Sequence, residues 1–170
     1  AVSSGSFACV VSPDGKTLAY PRLVGNFTQI KLLDLASRQE RALTSSLSQK
    51  YDARWSRDGK WLLFAKNSDG GINVWKTAAA GGQELPLTNG VDRIRHFFYS
   101  PDGRWLYIQP NHRNIYRMPA EGGPRHQVTR FAESSALFIE EPTISPEGRY
   151  LVYARDYGGS SLWMFTLKAR

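Results

Sequence analysis

The chain has 170 residues, 41% of them hydrophobic and 12% aromatic, with 22 Lys or Arg against 15 Asp or Glu for a formal net charge of +7. That apolar content excludes a disordered chain, because enough surface can be buried to offset the ordering entropy. No apolar run approaches the about 20 residues a membrane-spanning helix needs, and Cys9 stands alone, so neither an internal disulfide nor a cysteine-based zinc site can form.

From the N-terminus, Ala1 to Ser6 shows no basic and apolar leader pattern, which is expected if a signal has been removed or the chain is cut from something longer. The first predicted strand, Ala8–Val11, runs into Ser12-Pro13-Asp14-Gly15-Lys16, and Thr17–Tyr20 follows at once. A polar stretch leads to a third strand, Ile30–Leu35, and then to the pair Leu43-Thr44. The second copy reads Ala53–Trp55, Ser56-Arg57-Asp58-Gly59-Lys60, Trp61–Phe64, a polar loop over Asn67–Gly71, Ile72–Lys76 and Leu87-Thr88. The third reads Phe97–Tyr99, Ser100-Pro101-Asp102-Gly103-Arg104, Trp105–Ile108, Ile115–Met118 and Val128-Thr129. The fourth reads Pro142–Ile144, Ser145-Pro146-Glu147-Gly148-Arg149, Tyr150–Tyr153 and Leu162–Leu167.

The motif serines lie 44, 44 and 45 residues apart, and 14 residues separate Ile30, Val74 and Ile115 from Thr44, Thr88 and Thr129. Short aromatic and β-branched runs between Gly, Pro and Asp turns argue for four-stranded antiparallel units. Such units at this period are β-propeller blades. The expected blades are residues 7–44, 51–88, 95–129 and 139–170 of a single module. Asp14, Asp58, Asp102 and Glu147 are expected to hold the turns, with Gly15, Gly59, Gly103 and Gly148 supplying the positive φ. The tryptophans, at matched positions, are expected to pack between blades.

The wording of the repeat resembles the TolB-type, WD-like propeller repeat, in which an apolar residue precedes Ser-Pro-Asp-Gly-Lys/Arg and an apolar strand follows. Trp55–Phe64 carries that pattern with Arg57 as the departure. The resemblance implies an all-β propeller of more blades than four, with this chain as an arc whose last blade is incomplete. The N-terminal residues would otherwise have to close the ring against the bare edge of Leu162–Leu167. It also implies a periplasmic or other extracytoplasmic setting, a protein or peptide partner, further blades or domains of the same parent chain, and no cofactor.

No nucleophile elbow, phosphate loop or metal motif is present, so no catalytic or metal-binding residue is assigned. The enzymatic alternative is the gating propeller of a prolyl-oligopeptidase-like hydrolase, or a carbohydrate-active propeller. His96 enters a first strand, His112 a middle loop and His126 an outer strand, and this radial separation argues against convergence on one ion. Recognition is expected where the repeats disagree. Four residues before the motif serine stand Ala8, Asp52, His96 and Glu141, and two before it Val10, Arg54, Phe98 and Thr143. Period-two alternation sends the uniformly apolar neighbours, such as Cys9, Val11 and Phe97, to the blade core. Asp52, Arg54, Arg95, His96 and Glu141 are left as the expected binding residues at the channel mouth. The bases after Arg93 are spread over loops and edge strands with no aromatic platform, which argues against nucleic acid.

Overall fold

Each Ser-x-Asp-Gly segment closes a tight turn by the same bonds. Ser12 Oγ donates to Asp14 Oδ1 (2.5 Å) and accepts the Thr17 amide (2.9 Å), while the Lys16 amide donates to Asp14 Oδ1 (3.1 Å). Ser56, Asp58 and Trp61 repeat the pattern, as do Ser100, Asp102 and Trp105. Ser145 Oγ accepts the Tyr150 amide at 3.0 Å. The glycines take φ of +74°, +68°, +73° and +73° at positions 15, 59, 103 and 148, where a Cβ would meet the following carbonyl. Donors on Asp14, Asp58 and Asp102 hold these carboxyls below their usual pKa, Asp102 falling to about 2 under the hydroxyl of Ser100 and the guanidinium of Arg104.

The computed structural model describes residues 9–68, 70–131, 138–156 and 160–167. Among them every regular element is a strand, and the strands form four antiparallel sheets in sequence order. Sheet 1 contains β1 (Val10–Val11), β2 (Thr17–Val24), β3 (Phe27–Asp34) and β4 (Glu40–Ala42). Sheet 2 contains β5 (Lys50–Trp55), β6 (Trp61–Ser68), β7 (Gly71–Ala78) and β8 (Leu85–Pro86). Sheet 3 contains β9 (Ile94–Tyr99), β10 (Trp105–Pro110), β11 (Tyr116–Pro119) and β12 (His126–Gln127). Sheet 4 contains β13 (Phe138–Ile144), β14 (Tyr150–Asp156) and β15 (Ser160–Thr166), three strands among the described residues. The N-terminal segment considered for ring closure, residues 1–8, lies outside the described residues. The polar stretch expected as a loop at Asn67–Gly71 is part of a hairpin, with β6 and β7 in register from Trp61↔Ala78 to Ser68↔Gly71. Backbone pairing there needs no apolar side chains.

The 14-residue spacing has a direct cause. The Thr44 hydroxyl accepts the Ile30 amide, Thr88 that of Val74 and Thr129 that of Ile115, each at 2.9 Å. The residue before each threonine donates its own amide to the same partner's carbonyl: Leu43 to Ile30, Leu87 to Val74 and Val128 to Ile115. A buried amide within β3, within β7 and at the entrance of β11 is thereby satisfied by the return of the chain.

The chain divides into two compact units, residues 1–91 and 92–170. In the first, Ala19, Ile30, Leu32, Ala53, Leu62 and Phe64 form a core against which Val10, Trp55 and Trp75 pack. In the second, Tyr107, Ile115, Leu151 and Tyr153 do so, with Phe98 and Ile144 against them. The expected alternation holds at Ala53 and Phe97, both buried, and fails along β1. Val10 packs inward while Val11 is 53% exposed and Cys9 is exposed. Phe98 stacks on Tyr107 with ring centroids 5.4 Å apart. The physical reason is that sheet 1 meets sheet 2 through the face of β1 that carries Val10, so Cys9 and Val11 lie on the face turned from sheet 2.

The first unit also buries charge. Lys50 is fully buried, and its Nζ donates to Ser46 O (2.6 Å) and Ser48 Oγ (3.2 Å). Burial pushes its pKa down, with Glu84 opposing. Glu84 accepts from Lys66 Nζ (2.8 Å) and Ser46 Oγ (2.6 Å).

Candidate functional site

The first strands are irregular where the repeats disagree. The β5–β6 register shifts between Tyr51 and Ala53, and Asp52 there takes φ +42°. The β13–β14 register shifts between Glu140 and Thr143, with Glu141 at φ +46°. Opposite β9 the shift falls between Gln109 and Pro110, paired to His96 and Ile94, so Arg95 is the extra residue. A bulge bends its strand and re-aims the side chains around it. Left-handed backbone at non-glycine residues persists only where the surroundings enforce it, and such positions gather at working sites.

A second strained segment lies in the same unit. Asn111 and His112, after β10, take φ +56° and +57°. The Asn111 amide donates to Arg93 O (2.9 Å), and Asn111 Oδ1 accepts the Arg93 amide (3.1 Å). Asn111 Nδ2 also donates to Asp92 Oδ1 at 3.4 Å, and Arg125 Nη1 lies 2.6 Å from Asp92 Oδ2. These bonds pin the turn to the entrance of β9 and set His112 beside it.

The outcome is a cluster that the expected radial separation of the histidines did not foresee. His96 Nε2 lies 3.7 Å from Glu140 Oε2, and His112 Nδ1 lies 3.4 Å from Glu140 Oε1. One carboxylate of β13 thus faces the imidazole of His96 on β9 and that of His112 in the loop after β10. Burial is the main cause holding His112 below its ordinary pKa, with the Arg95 guanidinium adding to it and Glu140 opposing. His126, on the outer strand β12, is exposed.

Of the expected binding residues, Arg95 and His96 join this cluster. Glu141 is adjacent in sequence and exposed. Asp52 and Arg54 belong to the first unit, both half-buried, with Arg54 Nη1 donating to Ala53 O at 2.8 Å. Sequence reasoning missed Glu140 and His112. Two signals were available: Glu140-Glu141 is a pair of like charges that a strand cannot place on one face without a bulge, and Asn-His is a pair of types enriched in left-handed backbone. Two imidazoles around a carboxylate can donate and accept hydrogen bonds. Among the described residues no group of three His, Cys, Asp or Glu is arranged to hold a metal ion.

Comparison with known proteins agrees with this architecture. A structure described as TolB from Agrobacterium tumefaciens superposes with a TM-score of 0.78 at 26% identity, over 94% of this chain and 62% of that one. TolB from Acinetobacter baumannii gives 0.76 at 23% identity, over 95% of this chain and 40% of that one. An oligogalacturonate lyase in complex with manganese gives 0.71 at 16% identity, over 93% of this chain and 49% of that one. The chain therefore spans less than two thirds of each of these proteins, matching an incomplete propeller of the TolB type. A search of the curated proteins finds no match. The TolB beta propeller domain family matches residues 2–170, essentially the whole chain, and the chain belongs to that family.

Proposed function

We propose that this chain is a non-enzymatic binding module, which recognises a protein or peptide through the ends of its first strands as the interaction or sensor part of a longer extracytoplasmic protein. The observation that carries this reading is the His96–Glu140–His112 cluster with Arg95. The side chains that differ most among the copies gather on a repeated frame, at bulges and left-handed residues that cost backbone energy. Peptides selected from a random phage-displayed library against the chain should lose about tenfold or more in affinity with Glu140→Gln or Arg95→Ala, at unchanged melting temperature. Equal binding by the variants would remove the cluster from the interface.

The same cluster supports a second reading, a carbohydrate-active propeller enzyme, since two imidazoles and a carboxylate can move protons and one similar structure is an oligogalacturonate lyase. Product release from oligogalacturonate that vanishes with His112→Asn would favour it over the binding module.

A further inference from the structure

The repeats provide an internal comparison that singles out a different place. After the motif Gly-Lys/Arg, sheets 2 and 3 carry Trp61 and Trp105, and sheet 4 carries Tyr150. Lys76 Nζ lies 4.9 Å from the Trp61 ring and the Arg117 guanidinium 4.6 Å from that of Trp105. Sheet 1 has Thr17 at the aromatic position and Leu32 at the cationic one. Where the other three motifs have Pro13, Pro101 and Pro146, the second has Arg57. Thr17, Leu32 and Arg57 all line one cleft of about 710 Å³ between sheets 1 and 2, at the end bearing the motif turns. The missing indole leaves room, and the volume lies in the range of about 300–1,000 Å³ usual for small-molecule sites.

The lining is mixed in a particular way. Trp55, fixed by its Nε1 donating to Val10 O at 3.1 Å, and the nearly buried Leu32 supply apolar surface. Asp14, Asp34, Glu40 and Asp58 supply carboxylate acceptors, and Arg41, Arg57 and Gln39 supply donors. Asp14 and Asp58 accept the turn bonds through Oδ1, so their orientation is set before any ligand arrives. Arg22 and Lys31 pair with Glu40, and Lys16 and Lys60 act on Asp14, Asp34 and Asp58, so neither sign of charge dominates around the cleft and neither a phosphate nor a uronate finds a one-signed site. A bare cation would meet the guanidiniums. Sugar hydroxyls, which donate and accept at once, use both kinds of partner, and the C–H face of a sugar ring suits the indole and the leucine.

We propose that this cleft binds a short neutral saccharide, with Trp55 beneath the ring and the carboxylates and guanidiniums on its hydroxyls. The site lies in the first unit and is distinct from the His96–Glu140–His112 cluster.

Calorimetric titration and saturation-transfer NMR with maltotriose, cellotriose and chitotriose test it, with spermidine and trigalacturonate as charged probes. At least one neutral trisaccharide should bind saturably, and Thr17→Trp, which restores the aromatic that sheets 2 and 3 carry, should weaken it about tenfold or more. Arg57→Pro, which restores the proline of the other three copies, should weaken it too and decides the matter if Thr17→Trp does not fold. His112→Asn should leave it unchanged. No binding by any of the three neutral sugars would overturn the proposal. So would unaltered affinity in the two cleft variants, or a site that prefers spermidine or trigalacturonate and loses that probe with Thr17→Trp.

Discussion

The carboxylate of Glu140 on β13 sits 3.4 Å from Nδ1 of His112, a residue that the sequence places 28 positions earlier in the loop after β10. The contact joins sheet 3 to sheet 4 through a titratable group. His112 is held below its ordinary value of 6.5 chiefly by burial and then by Arg95, against the pull of Glu140, with His96 adding repulsion. A histidine whose folded pKa is depressed contributes stability that is complete above the unfolded pKa and is lost as pH falls through the folded one. Melting temperature should therefore decline as the pH drops below 6.5. His112→Asn, which keeps a residue tolerant of left-handed backbone, should flatten that decline in a series of thermal melts.

Thr88 anchors the third strand of sheet 2 by accepting the buried Val74 amide. Thr88→Val keeps the shape and orphans that amide, at an expected cost of about 1–3 kcal/mol. Thr88→Ser should retain most of the stability. Urea denaturation of the two variants makes the comparison, and equal loss would show that the methyl group matters as much as the hydroxyl.

Glu84 is the carboxylate within reach of two buried ammonium groups, paired to Lys66 with side-chain exposures of 10% and 12% and acting on Lys50 through space. Removing one partner of a buried pair costs about 3–5 kcal/mol, because the other charge is left uncompensated. Glu84→Gln should reach that range in chemical denaturation. Glu84→Gln combined with Lys66→Met should recover part of it, and the double-mutant cycle reads the coupling.

Gly59 sits at φ +68°, and a Cβ there would lie 3.7 Å from Pro13 Cδ, an ordinary contact. The penalty of Gly59→Ala should then come from the backbone alone, about 1–2 kcal/mol. Gly15→Ala, at φ +74° with open space around it, should cost the same. A much larger loss at Gly59 would mean that the approach of Pro13 is tighter in solution.

Much of the blade chemistry is legible in the chain because it acts over few residues. Ser56 reaches Asp58 and Trp61, and the hydroxyl of Thr88 reaches Val74 within one hairpin and its return. The all-β propeller class follows from four copies of that unit. The cluster was not legible in the same way. His96 could be read as a variable position, but its partner Glu140 was passed over for Glu141, because a one-residue bulge at Glu140/Thr143 changes which of two adjacent glutamates faces the neighbouring sheet. Strict alternation assigns the wrong one. The cleft was hidden for another reason. Thr17 and Leu32 look like ordinary strand residues, and only the stacks of Trp61 with Lys76 and of Trp105 with Arg117 show what they lack.

The sequence by itself determined the repeat, the turn that begins each blade and the threonine that closes it, since each is a short-range bond between residues at fixed spacing. The tertiary structure alone decided that His112 and Glu140 meet, and that Thr17, Leu32, Trp55 and Arg57 enclose a common space. Those relationships depend on where a strand bulges and on how one sheet lies against the next, and neither is set by the residues of a single strand.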